Sequence, residues 1–159
     1  MRLIMTLIAW LCLLGTTLPL ATAAMAASPA RYDAAAVAKI HGGIVDCVAC
    51  DLRGADLMNT CVKEHDLHDA DFDGADATLM CMSFANFTNA SVRGTELSGA
   101  NLAGAKLDGA DLTGAKTSIT SFLGTDLRHV KGLTQAQLNV ACGDSKTLLP
   151  SGFKIHTCQ

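Results

Sequence analysis

The stretch Ala100-Asn101-Leu102-Ala103-Gly104-Ala105-Lys106-Leu107-Asp108-Gly109-Ala110-Asp111-Leu112-Thr113-Gly114 decides the fold. Leucine returns every fifth residue, with alanine two positions before it and glycine two positions after. The same phase runs outward in both directions, from Cys50 to His129. Its centres are Leu52, Leu57, Val62, Leu67, Phe72, Ala77, Met82, Phe87, Val92, Leu97, Leu102, Leu107, Leu112, Thr117, Phe122 and Leu127. That makes sixteen consecutive pentapeptides without an insertion, and all centres but Ala77 and Thr117 are apolar and larger than alanine. A polar residue, most often Asp, precedes most centres, as at Asp51, Asp56, Asp66, Asp71, Asp76, Asp111 and Asp126.

A period of five fits neither regular element. On a helix, five residues at ~100° each smear the leucines around the axis. On a straight strand they fall on alternate faces. The centres stay inward only when the chain turns at every repeat, so that coils stack and each buries its neighbour's open side. The glycines after the centres, such as Gly54, Gly74 and Gly104, suit corners that need positive φ.

The runs Ala100-Asn101-Leu102-Ala103-Gly104 and Ala110-Asp111-Leu112-Thr113-Gly114 resemble the A(D/N)LxG signature of pentapeptide-repeat proteins. The resemblance implies an all-β fold, a right-handed quadrilateral β-helix of about four coils, with four repeats to the turn. At ~4.8 Å between strands, four coils make a rod of roughly 19 Å. His65 and Met80 stand where the family has alanine, and with the weak centres Ala77 and Thr117 they predict looser packing in their coils.

Residues 1–26 are expected to be a signal peptide: Arg2, a mostly apolar run from Leu3 to Leu20, then Ala24-Met25-Ala26 as a small-x-small cleavage signal after Ala23 or Ala26. Gly15, Thr16, Thr17 and Pro19 interrupt the run, which argues against a stable membrane span. A lipid anchor on Cys12 is excluded by Leu11, where a small residue is required. The chain is thus expected in the periplasm or outside the cell. Residues 27–49 form an N-terminal arm or cap, with a short helix in Arg31 to Ile40 ending at Gly42-Gly43 and Cys47 continuing the repeat phase. Residues 130–159 form a C-terminal helix-and-tail cap. There Thr134 and Gln137 spell a capping box, and the helix is expected to reach Ala141 or Cys142. Caps of this kind cover the open coil ends.

The mature chain carries 11 cations against 15 acids, a net charge of −4. That argues against a basic nucleic-acid-binding surface, so no nucleic acid is expected as a partner. It also carries six cysteines, an even number that in an exported protein reads as disulfides. Six cysteines allow fifteen connectivities. A twenty-residue turn would stack Cys61 beside Cys81; Cys142 and Cys158 flank the tail, leaving Cys47 and Cys50 as a C-x-x-C. Redox chemistry in that motif needs a helix N-terminus in an α/β fold, so a structural staple is the stronger reading.

The polar run from Glu64 to Asp76 holds two histidines and six acids and invites a metal reading. Successive repeats lie on different sides of the coil, however, which disperses Asp66, Asp71 and Asp76. His65, at an inward slot, is expected to be a packed neutral imidazole. Met80 and Met82 face inward while Cys61 and Cys81 face out, which removes a soft copper site. No cofactor, metal or catalytic constellation is expected, nor enzymatic activity.

Leu79, Phe84, Ile119 and Leu123 occupy slots that face solvent. They mark either a contact patch or ground covered by the arm or the tail. The leading functional expectation is a non-enzymatic exported scaffold that binds a protein partner or supports the envelope. One alternative resembles the gyrase-protecting pentapeptide-repeat proteins, whose acidic rods imitate DNA; the columns Asp51, Asp71, Asp111 and Asp56, Asp76, Glu96 suggest it. The other is a periplasmic thiol- or metal-binding role.

Overall fold

The computed structural model of the chain describes residues 32–43 and 46–159. The expected signal peptide, 1–26, lies outside these residues.

Within the repeats, backbone pairs recur at a spacing of twenty. Asp51 pairs in parallel with Asp71, Asp56 with Asp76, Cys61 with Cys81, and Asp66 with Asn86. Four pentapeptides therefore complete one circuit, and each side stacks on the side twenty residues on. The ladder is regular: Leu52 N–H donates to Asp71 O at 2.8 Å, and Asp71 N–H donates to Cys50 O at 2.9 Å.

Between sides the chain turns. In every corner but the one after Val92, the residue three after a centre donates back to it, as Ala55 N–H does to Leu52 O at 3.1 Å. The residue two after the centre has positive φ at every corner from Ala49 to Gly124, which is what a type II turn demands. The aspartate before the centre supports the same corner. Asp51, Asp56, Asp66, Asp71, Asp76, Asp111 and Asp126 each accept the N–H two residues ahead through a side-chain oxygen. This is an Asx turn, so the Asp/Asn preference at that slot has a backbone cause.

The centres from Leu52 to Leu127 fill the interior with their small partners, all buried but Thr60 and His65 among the partner slots from Ala55 to Thr125. Each buried Leu or Phe contributes roughly 1.5–3 kcal/mol relative to exposure. The looser packing expected around Ala77 and Met80 is not found: both are fully buried, and the space beside Ala77 is about 10 Å³. Phe72 and Phe87, with ring centroids 5.5 Å apart, and Met82 line that space, so large neighbours compensate for a small centre. Thr117 is buried because its hydroxyl donates to Gln137 O at 2.8 Å. His65 differs from expectation. Its imidazole is half-exposed and stands 3.6 Å from Asp46, because a ring cannot occupy a slot that holds Ala85 and Ala105 in the coils above.

Helix α1, Ala34–His41, starts on Asp33, whose carboxylate accepts from Ala35 and Ala36 N–H, and stops at Gly42. Ala36 and Ile40 bury against the core. Helix α2, Gln135–Val140, carries the expected capping box between Thr134 and Gln137. It stops short of Cys142 because Cys142 N–H rejoins the ladder on Thr120 O. The tail does more than lie over the helix. Ser121 pairs with Cys142 and Asp126 with Leu148, so the spacing stretches from twenty to 21 and then 22 while stacking persists. Strand β1, Cys142–Gly143, pairs in parallel with β2, His156–Thr157. No helix among the described residues is long and apolar enough to cross a membrane.

Candidate interaction surface

The corner residues carry the surface. Their positive φ favours glycine, and eleven glycines in the described residues have it. Leu79, Phe84 and Ile119 adopt it too, at φ 57°, 61° and 58°. A left-handed residue with a side chain costs roughly 1–2 kcal/mol, and for a β-branched residue such as Ile119 it is an outlier. These same three side chains are among the most exposed large apolar groups, at 57%, 59% and 78%. Folding gains nothing from either property.

Two of them are seated on bare backbone one circuit on. A β-carbon placed on Gly99 would stand 2.6 Å from Leu79 Cδ2, and one on Gly104 would stand 2.5 Å from Phe84 Cε1. Leu79 and Phe84 therefore lie flat along the rod, over glycines that leave room for them. Leu123 is half-buried beside this seat, its carbonyl accepting from Gly104 N–H at 2.8 Å. The four residues named from the sequence thus fall on two neighbouring edges. Leu79 and Ile119 share one through Gly99, and Phe84 and Leu123 share the other through Gly104.

Met58 and Val140, exposed at 46% and 50%, were not in that set and belong to the first edge. Asn59 N–H donates to Thr78 O beside Leu79, and Ile119 N–H donates to Val140 O at 2.7 Å. Met58 was legible, because it sits one residue before a corner. Val140 was not, since it lies beyond His129, where the five-residue phase ends.

The remaining candidates resolve into structure. Cys47 bonds Cys50, Cys61 bonds Cys81, and Cys142 bonds Cys158, with Cα separations of 5.4, 4.4 and 4.9 Å. Cys47 is buried and its N–H joins the ladder on Asp66 O, with no helix starting there. Cys61 and Cys81 lie on the outer side while Met80 and Met82 are interior. Asp66 accepts from His68 and Asn86, whereas Asp71 and Asp76 serve their own corners. Among the described residues no group of three or more His, Cys, Asp or Glu side chains is placed to hold a metal ion.

The charges are largely paired locally. Arg53 bonds Asp51 at 2.6 Å and holds its carboxyl down at about 2; Arg128 does the same to Asp126. Lys116 bonds Glu96 at 2.7 Å and, with Ser98, lowers its pKa. Each acidic column ends on a cation: Asp51, Asp71, Ser91 and Asp111 lead to Lys131, and Asp56, Asp76 and Glu96 lead to Lys116.

The pentapeptide-repeat profile matches residues 49–79 and 81–116 in eight copies. Alr5209, a pentapeptide repeat protein from Nostoc PCC 7120, is 32% identical over 62% of this chain and 77% of its own, with a TM-score of 0.40. The pentapeptide repeat protein Rfr23 from the cyanobacterium Cyanothece 51142 is 28% identical, with a TM-score of 0.49; the alignment covers 60% of this chain and 61% of Rfr23. QnrB1, a plasmid-mediated fluoroquinolone resistance protein, is 18% identical over 69% of this chain and 59% of its own, with a TM-score of 0.44. No curated protein matches. A solenoid of turning pentapeptides defines the class, and the chain belongs to the pentapeptide-repeat family, whose members form right-handed quadrilateral β-helices.

Proposed function

We propose that the chain is an exported, non-enzymatic scaffold of about four coils, closed by helical caps, that binds a protein partner in the bacterial envelope. The observation carrying this reading is the placement of Leu79, Phe84 and Ile119, which are exposed in corners where glycine is the more stable choice. Strain retained at an exposed apolar site points to use of that site. Three cysteine pairs support an oxidising destination. A rigid repeat surface with half-buried Leu123 beside Phe84 offers a ready apolar seat for a partner.

The DNA-mimic alternative is weaker on this geometry. The aspartates have a backbone role in the corners, and their columns run into Lys116 and Lys131. The test is crosslinking and pull-down from the envelope with the native chain and a Phe84→Asp, Leu123→Asp variant. Loss of specific partners from the variant supports the reading, and identical partners for both overturn it.

A further inference from the structure

Met58, Leu79, Gly99, Ile119 and Val140 form one edge running along the repeats. Spaced ~4.8 Å per coil, the edge is roughly 19 Å long. Its composition is symmetric about Gly99, with one large apolar residue on either side of the glycine and another at each end. Reversing the edge end for end brings Leu79 opposite Ile119 and Met58 opposite Val140.

The charges, by contrast, are asymmetric along the axis. Residues 46–90 hold nine carboxylates against two cations, whereas residues 91–159 hold five carboxylates against seven cations. The column flanking the edge repeats the gradient in miniature, from Asp56 and Asp76 through Glu96 to Lys116. Glu96 is already paired with Lys116 within the chain. The flank on the other side, Cys61, Cys81, Asn101 and Ser121, carries no charge.

We infer that this edge docks a second copy of the chain, side by side and antiparallel, about a two-fold axis passing beside Gly99. Such an axis crosses the rod, so each flanking column meets its own copy reversed: Asp76 of each copy faces Lys116 of the other, and the two Glu96 carboxylates, each held by its own Lys116, meet at the axis. A parallel pair would set this column against the uncharged Cys61, Cys81, Asn101 and Ser121 flank and forfeit both charge contacts. Self-complementary patches of this kind are what closed two-fold pairs require. An edge one residue wide and roughly 19 Å long falls well short of the ~800 Å² per partner of a standard interface, so the pair is weak and reversible. It takes Leu79 and Ile119 for the pair and leaves Phe84 and Leu123, the residues that test partner binding, free.

The experiment is sedimentation equilibrium of the chain as recovered from cells, from 1 to 200 µM, at 50 and 500 mM NaCl. A micromolar dimer that weakens with salt is expected. Ile119→Gly and Leu79→Gly, chosen because the corners accept glycine, should each weaken it at least tenfold. Lys116→Glu should weaken it tenfold at low salt and little at high salt, and mixing it with Asp76→Lys should restore a heterodimer. Phe84→Asp should leave it intact. A chain monomeric at 200 µM, or a dimer indifferent to Ile119→Gly and Lys116→Glu, overturns the inference.

Discussion

Phe84 lies flat on Gly104, so close that a β-carbon there would stand 2.5 Å from Phe84 Cε1 and 2.6 Å from Cδ1. Gly104 also has φ +64°. Gly104→Ala therefore meets a steric and a conformational objection together, and is expected to cost about 1–2 kcal/mol. Urea denaturation measures it. In a Phe84→Ala background the steric part should vanish and only the φ cost remain.

Ile119 reverses the sign. Its φ is 58° and its side chain is the most exposed of the large apolar groups. Replacing it with glycine removes the left-handed cost but frees the unfolded chain, and the two effects oppose. We expect a net gain of about 0.5–1 kcal/mol in urea. A lower midpoint would mean that Ile119 contributes packing that outweighs its left-handed cost.

Gln137 ties α2 to the last coil. Its side-chain amide donates to Leu112 O at 2.8 Å and Ala115 O at 3.0 Å, while its oxygen accepts from Thr134 N–H. Gln137→Ala removes these bonds and half of a capping box, with an expected loss of about 2–3 kcal/mol. Gln137→Glu should be no milder, since a carboxylate cannot donate to two carbonyls. Hydrogen exchange at Ala115 and Thr117 would show whether the end coil opens first.

The Cys142–Cys158 bond encloses a sequence separation of 16, and Cys61–Cys81 one of 20. Loops of this size lose about 3 kcal/mol of stability each when opened. Cys142→Ser with Cys158→Ser should also release the tail to protease. Cys61→Ser with Cys81→Ser should leave the tail protected, because the ladder on both sides of that bond is intact.

Acid should weaken the fold through its corners. Arg53 holds the Asp51 carboxyl at about 2 and Arg128 holds Asp126 at about 2, chiefly by side-chain hydrogen bonds. Ordinary unfolded aspartate titrates near ~3.9, so this stabilisation is present above that value and is lost as pH falls toward 2. His68, raised by its hydrogen bond to Asp66, works in the other direction. Its contribution is complete below the ordinary histidine value of ~6.5 and disappears as pH rises through the raised one. Both groups are surface groups, so the slopes are shallow. Urea midpoints from pH 2 to 9 should show an acid decline and a small alkaline one, the latter absent in His68→Gln.

The period of five carried most of the fold, because each slot in it has one physical task. The centre fills the interior, the small residue lets coils approach, the aspartate braces the corner and the glycine turns it. Where two residues exchange tasks, single-slot reading fails. Ala77 is fully buried without loss because Phe72, Met82 and Phe87 supply its volume, and His65 leaves its slot for Asp46 because a slot in line with Ala85 and Ala105 has room only for a small side chain. Leu79, Phe84 and Ile119 were readable as exposed, since the slot alone dictates it. Their seating on Gly99 and Gly104 depends on the next circuit. Val140 and the tail pairing lay past the last repeat, where Cys142 and Leu148 rejoin the ladder out of phase.

The twenty-residue stacking makes the chain a dial as well as a rod. Adding or deleting one pentapeptide in the middle, say between Leu79 and Ile119, would swing everything beyond it by a quarter turn. Such a change would leave the interior satisfied and scatter every outer column, parting Cys61 from Cys81 or Leu79 from Ile119 according to where it fell. A change of four pentapeptides would only lengthen or shorten the rod. The outer columns therefore survive a change of length only in whole circuits, whereas the C-terminal end already stacks at spacings of 21 and 22.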